Sequence, residues 1–207
     1  LFNLRRMLMN KSFIIKIIVL CLVTIKVSAI EKVILFGDSL MAGYGLPNEQ
    51  HLSVVLQNSL ELEGHNIEIV NGSVSGSTSA GGLNIAEWTL SENNIDLMIL
   101  CLGANDMLRG INPKETKNNL EEIIKIAKNK NIKVVIAGMI APTSYGYSYK
   151  KSFDKIFSDL SKKYKLQLIP FLLEGVAQKP EFNLSDGMHP NDQGTIIIGN
   201  TLKKAIL

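Results

Sequence analysis

The chain has 207 residues, with 22 Lys and Arg against 19 Asp and Glu, 46% hydrophobic side chains and two cysteines. Its positive charge is local: Arg5, Arg6, Lys11, Lys16 and Lys26 all fall in the first 29 residues, which hold no acid, so residues 30–207 carry 17 basic against 19 acidic side chains. That balance gives no electrostatic basis for nucleic acid or an anionic membrane as partner, and Cys101 as the lone cysteine of this stretch excludes an internal disulfide.

Residues 1–29 have the layout of a secretory signal peptide. Basic residues come first, then a mostly apolar run from Phe13 to Val27, then Val27-Ser28-Ala29 as a small-residue cleavage site before Ile30. Lys16 and Lys26 leave nine residues between them, against roughly 18 or more for a membrane-spanning helix. Export to the periplasm or the medium is therefore expected, with a retained anchor as the alternative. The remaining 178 residues, 30–207, suit one domain that buries about 70% of its unfolded surface.

Apolar runs of strand length then alternate with longer segments of helical period. Strands are expected at 32–36, 67–71, 95–101, 132–139 and 166–169, each rich in Ile, Val or Leu as strands buried on both faces are. Helices are expected near 50–63, 80–92, 114–130, 149–164 and 191–205. The clearest follows Pro113, a residue suited to a first helical turn, with Leu120, Ile123, Ile124 and Ala127 at three- and four-residue spacing. This order predicts an α/β fold with a parallel sheet and helices on both faces. The loops after the first three strands then open on one edge, and each is unusual: Gly37-Asp38-Ser39-Leu40, the Gly- and Ser-rich Asn71 to Gly82, and Gly103-Ala104-Asn105-Asp106.

Ser39 at the end of the first strand is either a helix cap or a nucleophile. Asp186-Gly-Met-His189-Pro190 supplies what a nucleophilic serine needs. Asp186 can accept the Nδ1 proton of His189 and leave Nε2 free to take the serine proton. The bland alternatives are a turn in which Asp186 binds backbone amides, or a metal site. The other histidines, His51 and His65, are read on a helix face and in a turn, with no Cys/His cluster beside them, and no metal is expected. Gly76 can bring a backbone N–H close to an oxyanion, Asn105 a side-chain amide, and Ser39 its own N–H. Neither phosphate-loop pattern occurs, and the Gly-x-Ser-x-Gly elbow is absent although the order Ser, Asp, His matches it.

Taken together, Gly37-Asp38-Ser39-Leu40, Gly76, Gly103-x-Asn105-Asp106 and Asp186-x-x-His189 resemble the four blocks of the SGNH (GDSL) hydrolases, in order and over nearly all of residues 30–207. The chain is similar to the bacterial exported arylesterase, acyl-CoA thioesterase and lysophospholipase group of that family. The resemblance implies a flavodoxin-like three-layer α/β/α sandwich with a five-stranded parallel sheet. It implies Ser39, His189 and Asp186 as catalytic triad, and Ser39, Gly76 and Asn105 as oxyanion hole. It further implies esters or thioesters as small-molecule substrates, lysophospholipid among them, with no cofactor, no stable protein partner and a monomeric enzyme. Asp38 and Asp106 match motif positions that tie loops together. Met41 departs from the pattern, standing where a small residue is commoner. Leu83, Met107, Leu108, Ile111, Ile140 and Tyr145 are the apolar candidates for an acyl pocket, and each could equally be core. Two other functions remain open on the sequence: a carbohydrate O-deacetylase, and a noncatalytic binding module.

Overall fold

The computed structural model describes residues 30–92 and 94–207; the expected signal peptide lies outside them. Five strands form one parallel sheet: β1 (Lys32–Gly37), β2 (Glu68–Asn71), β3 (Leu97–Cys101), β4 (Lys133–Ala137) and β5 (Gln167–Ile169), in the order β2-β1-β3-β4-β5. This is the flavodoxin-like order. Val33, Ile34, Leu35 and Phe36 of β1 are all buried, as are all five residues of β3. A strand covered on both faces has no polar side to alternate with, so its sequence reads as a continuous apolar run.

Among the described residues seven α-helices connect and cover the strands: α1 (Ser39–Ala42), α2 (Leu52–Leu62), α3 (Ser79–Thr89), α4 (Ala104–Leu108), α5 (Pro113–Asn129), α6 (Tyr147–Tyr164) and α7 (Asp192–Ile206). The chain moves one way from β1 to β2 and the other way from β2 onward. Right-handed crossovers therefore put α2 on one face and α3, α5 and α6 on the other. In agreement, α2 packs on α7, while α3 packs on α5 and α5 on α6. Each long helix buries one stripe: Leu52, Leu56 and Leu60 of α2; Leu120, Ile123, Ile124 and Ala127 of α5; Phe153, Ile156, Phe157 and Leu160 of α6. Asn112 caps α5 by accepting from Lys114 N at 2.9 Å, directly before Pro113.

The expected strands and long helices are all present, with shifted ends. The third and fourth strands are shorter than their apolar runs because Ile95, Ile132 and Met139 are buried beyond the ends of the ladder. Two short helices, α1 and α4, stand where only loops were expected. α1 begins on Asp38, whose side chain accepts from Leu40 N at 3.1 Å, and ends on Gly43 in the left-handed region at φ 86°. Met41 is fully buried, so it fills the space beneath α1. Cys101 is a buried core residue, and burial pushes its thiol well above the ordinary range, away from reactivity.

Candidate active site

In an open α/β sheet the crevice lies outside the carboxyl ends of the strands, where the strand order reverses. Here that point is between β1 and β3, and it is flanked by Ser39, the first residue of α1, and by Gly103 to Asn105 at the start of α4. The loop after β2 is pinned to the same rim by Gly72 N to Leu35 O (2.9 Å), Ser73 Oγ to Leu35 O (2.9 Å) and Val74 N to Gly37 O (3.0 Å).

The fourth contributor comes from the far end of the chain. Residues 183–190 form a closed loop: Asn183 pairs with Pro190 in an isolated bridge, and Leu184 N donates to His189 O at 2.7 Å. Asn183 Nδ2 ties this loop to Val176 O (2.8 Å) and Lys179 O (2.7 Å). Within it, Asp186 Oδ1 accepts from Met188 N (2.9 Å) and His189 N (3.0 Å), and Oδ2 faces His189 Nδ1 at 2.7 Å. The two backbone N–H groups, then the imidazole, hold the Asp186 carboxyl down to about 2. An ionised Asp186 keeps the proton on Nδ1, so Nε2 is free to accept from Ser39 Oγ, 3.0 Å away. The turn reading and the ring-orienting reading of Asp186 are therefore one arrangement: a single carboxylate binds both the turn amides and the ring.

The backbone N–H groups of Ser39 and Gly76 have no acceptor among the described residues. Gly76 sits at φ 78°, a conformation a side chain would strain. Asn105 is less free: its Nδ2 donates to Ser77 O (3.2 Å), at the upper end of the N–H···O range, and to Asp38 Oδ2 (3.4 Å), beyond it. Asp38 is fully buried, and desolvation pushes its carboxyl up to about 6. Asp106 is buried too but well bonded. It accepts from Ser79 N (2.7 Å), from Ser79 Oγ and from Thr116 Oγ1 (3.1 Å), joining the starts of α3, α4 and α5.

The acyl-pocket candidates divide. Leu108 and Ile140 are exposed, at 52% and 44%. Leu83 and Tyr145 are half-buried against the core, and Met107 is buried within it. Tyr145 stacks on Tyr149 at 5.4 Å, whose hydroxyl donates to Ile111 O at 2.9 Å, so Ile111 and Tyr145 meet through a residue the sequence did not single out.

A family model described as the GDSL-like lipase/acylhydrolase family matches residues 35–195, which span every element of this rim. The chain belongs to that family. It is 38% identical over 165 residues to an arylesterase of Vibrio mimicus, covering 80% of this chain and 82% of the relative. It is 30% identical over 187 residues to the thioesterase 1/protease 1/lysophospholipase L1 of Escherichia coli K12, covering 90% and 88%. The solved structure of a psychrotrophic esterase, EstA from Pseudoalteromonas sp., superposes with a TM-score of 0.81 at 30% identity, over 85% of this chain and 96% of that one. The GDSL acylhydrolase described here is thus an enzyme of the carboxylic ester and thioester hydrolase class with the SGNH fold.

Two residues of this acylhydrolase rim escaped the sequence reading. Tyr44 packs its ring on His189, with centroids 4.3 Å apart. Arg109 donates from Nη2 to Gly76 O at 3.1 Å. The one available signal for Arg109 was that no other arginine lies beyond residue 6. His51 precedes α2 instead of lying on its face, with Nε2 3.1 Å from Leu46 O. Among the described residues no group of three or more His, Cys, Asp and Glu is placed to hold a metal ion, and no helix is long and apolar enough to cross a membrane.

Proposed function

We propose that this enzyme cleaves acyl esters and thioesters through an acyl-enzyme on Ser39. The observation that carries the reading is the continuous chain from Ser39 Oγ through His189 (3.0 Å) to Asp186 (2.7 Å). Ser39 Oγ attacks the substrate carbonyl as His189 Nε2 takes its proton. Asp186 keeps the imidazole in the required tautomer and stabilises the imidazolium. The tetrahedral oxyanion accepts from the Ser39 and Gly76 N–H groups and from Asn105 Nδ2, which gives up its long bond to Asp38. His189 returns the proton to the departing alcohol or thiol, and the acyl group stays on Ser39. Water, deprotonated by His189 in turn, then releases the acid.

Leu83, Leu108, Ile111, Ile140 and Tyr145 form the acyl-binding surface of this reading, with Met107 behind them in the core. The relatives named arylesterase and thioesterase 1/protease 1/lysophospholipase L1 favour aryl esters, acyl thioesters and lysophospholipids as substrate classes. Residues 1–29 direct export, and residues 30–207 act as one domain and as a monomer. Hydrolysis of p-nitrophenyl esters of increasing acyl length tests the substrate class. Tolerance of six or more carbons supports the lipid and thioester reading; steep preference for acetyl would replace it with deacetylation. Ser39→Ala is expected to abolish turnover of every ester in the series.

A further inference from the structure

Arg109 caps the end of α4 one turn after Asn105, and its N donates to Asn105 O at 3.2 Å. Their side chains reach two consecutive carbonyls of the loop after β2. Asn105 Nδ2 donates to Ser77 O at 3.2 Å, and Arg109 Nη2 to Gly76 O at 3.1 Å. That carbonyl is the one hydrogen-bond partner of the Arg109 side chain among the described residues. No neighbour packs on the side of Gly76 where a side chain would stand, since a Cβ built there would meet no atom within 4 Å. Glycine is also the residue whose backbone turns most freely. Upstream, the loop is tethered by Val74 N to Gly37 O (3.0 Å); Ser77 N to Val74 O (3.1 Å) closes the turn around Gly76, Asn105 holds the Ser77 carbonyl, and the guanidinium holds the Gly76 carbonyl itself.

We propose that Arg109 is a positioning residue for the oxyanion hole: by fixing the Gly76 carbonyl it limits rotation at the Gly76 Cα, and so keeps the preceding Ser75–Gly76 peptide with its N–H aimed at the carbonyl attacked by Ser39. The proposal rests on Gly76 being an oxyanion donor. A guanidinium suits the task because its donors lie in a rigid plane, whereas an ammonium is a mobile point charge. Arg109 touches neither substrate nor Ser39 in this role; it acts through Gly76.

The test is Arg109→Met in the purified enzyme, assayed with a neutral p-nitrophenyl ester. kcat is expected to fall about tenfold with KM unchanged, less than the roughly 10² to 10³ for removing a donor outright. The rate of phosphonylation by a fluorophosphonate should fall by the same factor, because its tetrahedral adduct uses the same donors. Arg109→Lys should lie between the two, and added guanidinium ion should restore part of the loss in Arg109→Met. An unchanged kcat overturns the proposal. So does a loss confined to KM for anionic substrates such as acyl-CoA or lysophospholipid, which would make Arg109 a clamp on the leaving group. The wild-type enzyme separates the two levels of inference. If its Ser39 is not labelled, the acyl-enzyme reading fails; if it is labelled and Arg109→Met matches it, only the role of Arg109 fails.

Discussion

The ring of Tyr44 covers one face of the His189 imidazole, with centroids 4.3 Å apart and planes tilted by 36°, while Tyr44 N donates to Ser39 O at 3.3 Å. One residue therefore braces both the serine and the ring that faces it, though they are 150 positions apart in the chain. An aromatic contact of this kind is worth about 0.5–1.5 kcal/mol, enough to bias the ring orientation by up to roughly tenfold. Tyr44→Ala is expected to lower kcat/KM by about that factor, with Tyr44→Phe close to wild type. Steady-state kinetics on one ester decide it, and an alanine variant as active as wild type would remove Tyr44 from the account.

Asp106 accepts three bonds in the core and joins three helix starts. Replacing it by alanine leaves Ser79 and Thr116 donors buried without partners, each worth about 1–3 kcal/mol. Asp106→Ala should therefore lose roughly 3 kcal/mol or more of stability in urea unfolding. A loss of activity with an unchanged unfolding midpoint would mean that the residue acts in the chemistry and not in the scaffold.

Asp38 gives the opposite sign. Burial raises its carboxyl to about 6 from the ordinary 3.8. Between these values the folded state keeps a proton that the unfolded state has released, so this group's contribution to stability falls as pH rises through the window. About two pH units correspond to roughly 3 kcal/mol. Asp38→Asn can still cap Leu40 N and carries no charge. Its stability relative to wild type should therefore improve between about pH 4 and about pH 7, by thermal unfolding at each pH. A difference independent of pH would show that Asp38 is not strained by burial.

In the proposed mechanism Asn105 exchanges a 3.4 Å bond to Asp38 for one to the oxyanion, so its contribution would appear only as charge develops. Asn105→Ala is expected to cut kcat by about 10² to 10³ with little change in KM. A pure KM effect would assign the amide to ground-state binding.

The sheet was legible because strands buried on both faces leave continuous runs such as Val33-Ile34-Leu35-Phe36, and α5 because its buried positions repeat at helical spacing. α1 and α4 were not, since helices of four and five residues are too short to carry a period. Ser39, Asp186 and His189 were legible as residue types at suggestive places, and the structure brings them together. Contacts across loops left little trace: Tyr44 lay between two glycines, and nothing local in the sequence links Arg109 to a carbonyl 33 residues earlier. The double engagement of Asn105 was hidden for the same reason, because a motif names a donor without naming what it already binds.

The central claim is a covalent intermediate on Ser39, and the most direct measurement is mass spectrometry of the enzyme after reaction with a fluorophosphonate. The solved relative EstA is described as inhibited by monoethylphosphonate, which makes the chemistry apt. The account predicts one adduct per chain, on the peptide containing Ser39, formed far more slowly in His189→Gln. An enzyme that hydrolyses esters yet takes no label at Ser39, or takes it on another residue, would contradict it.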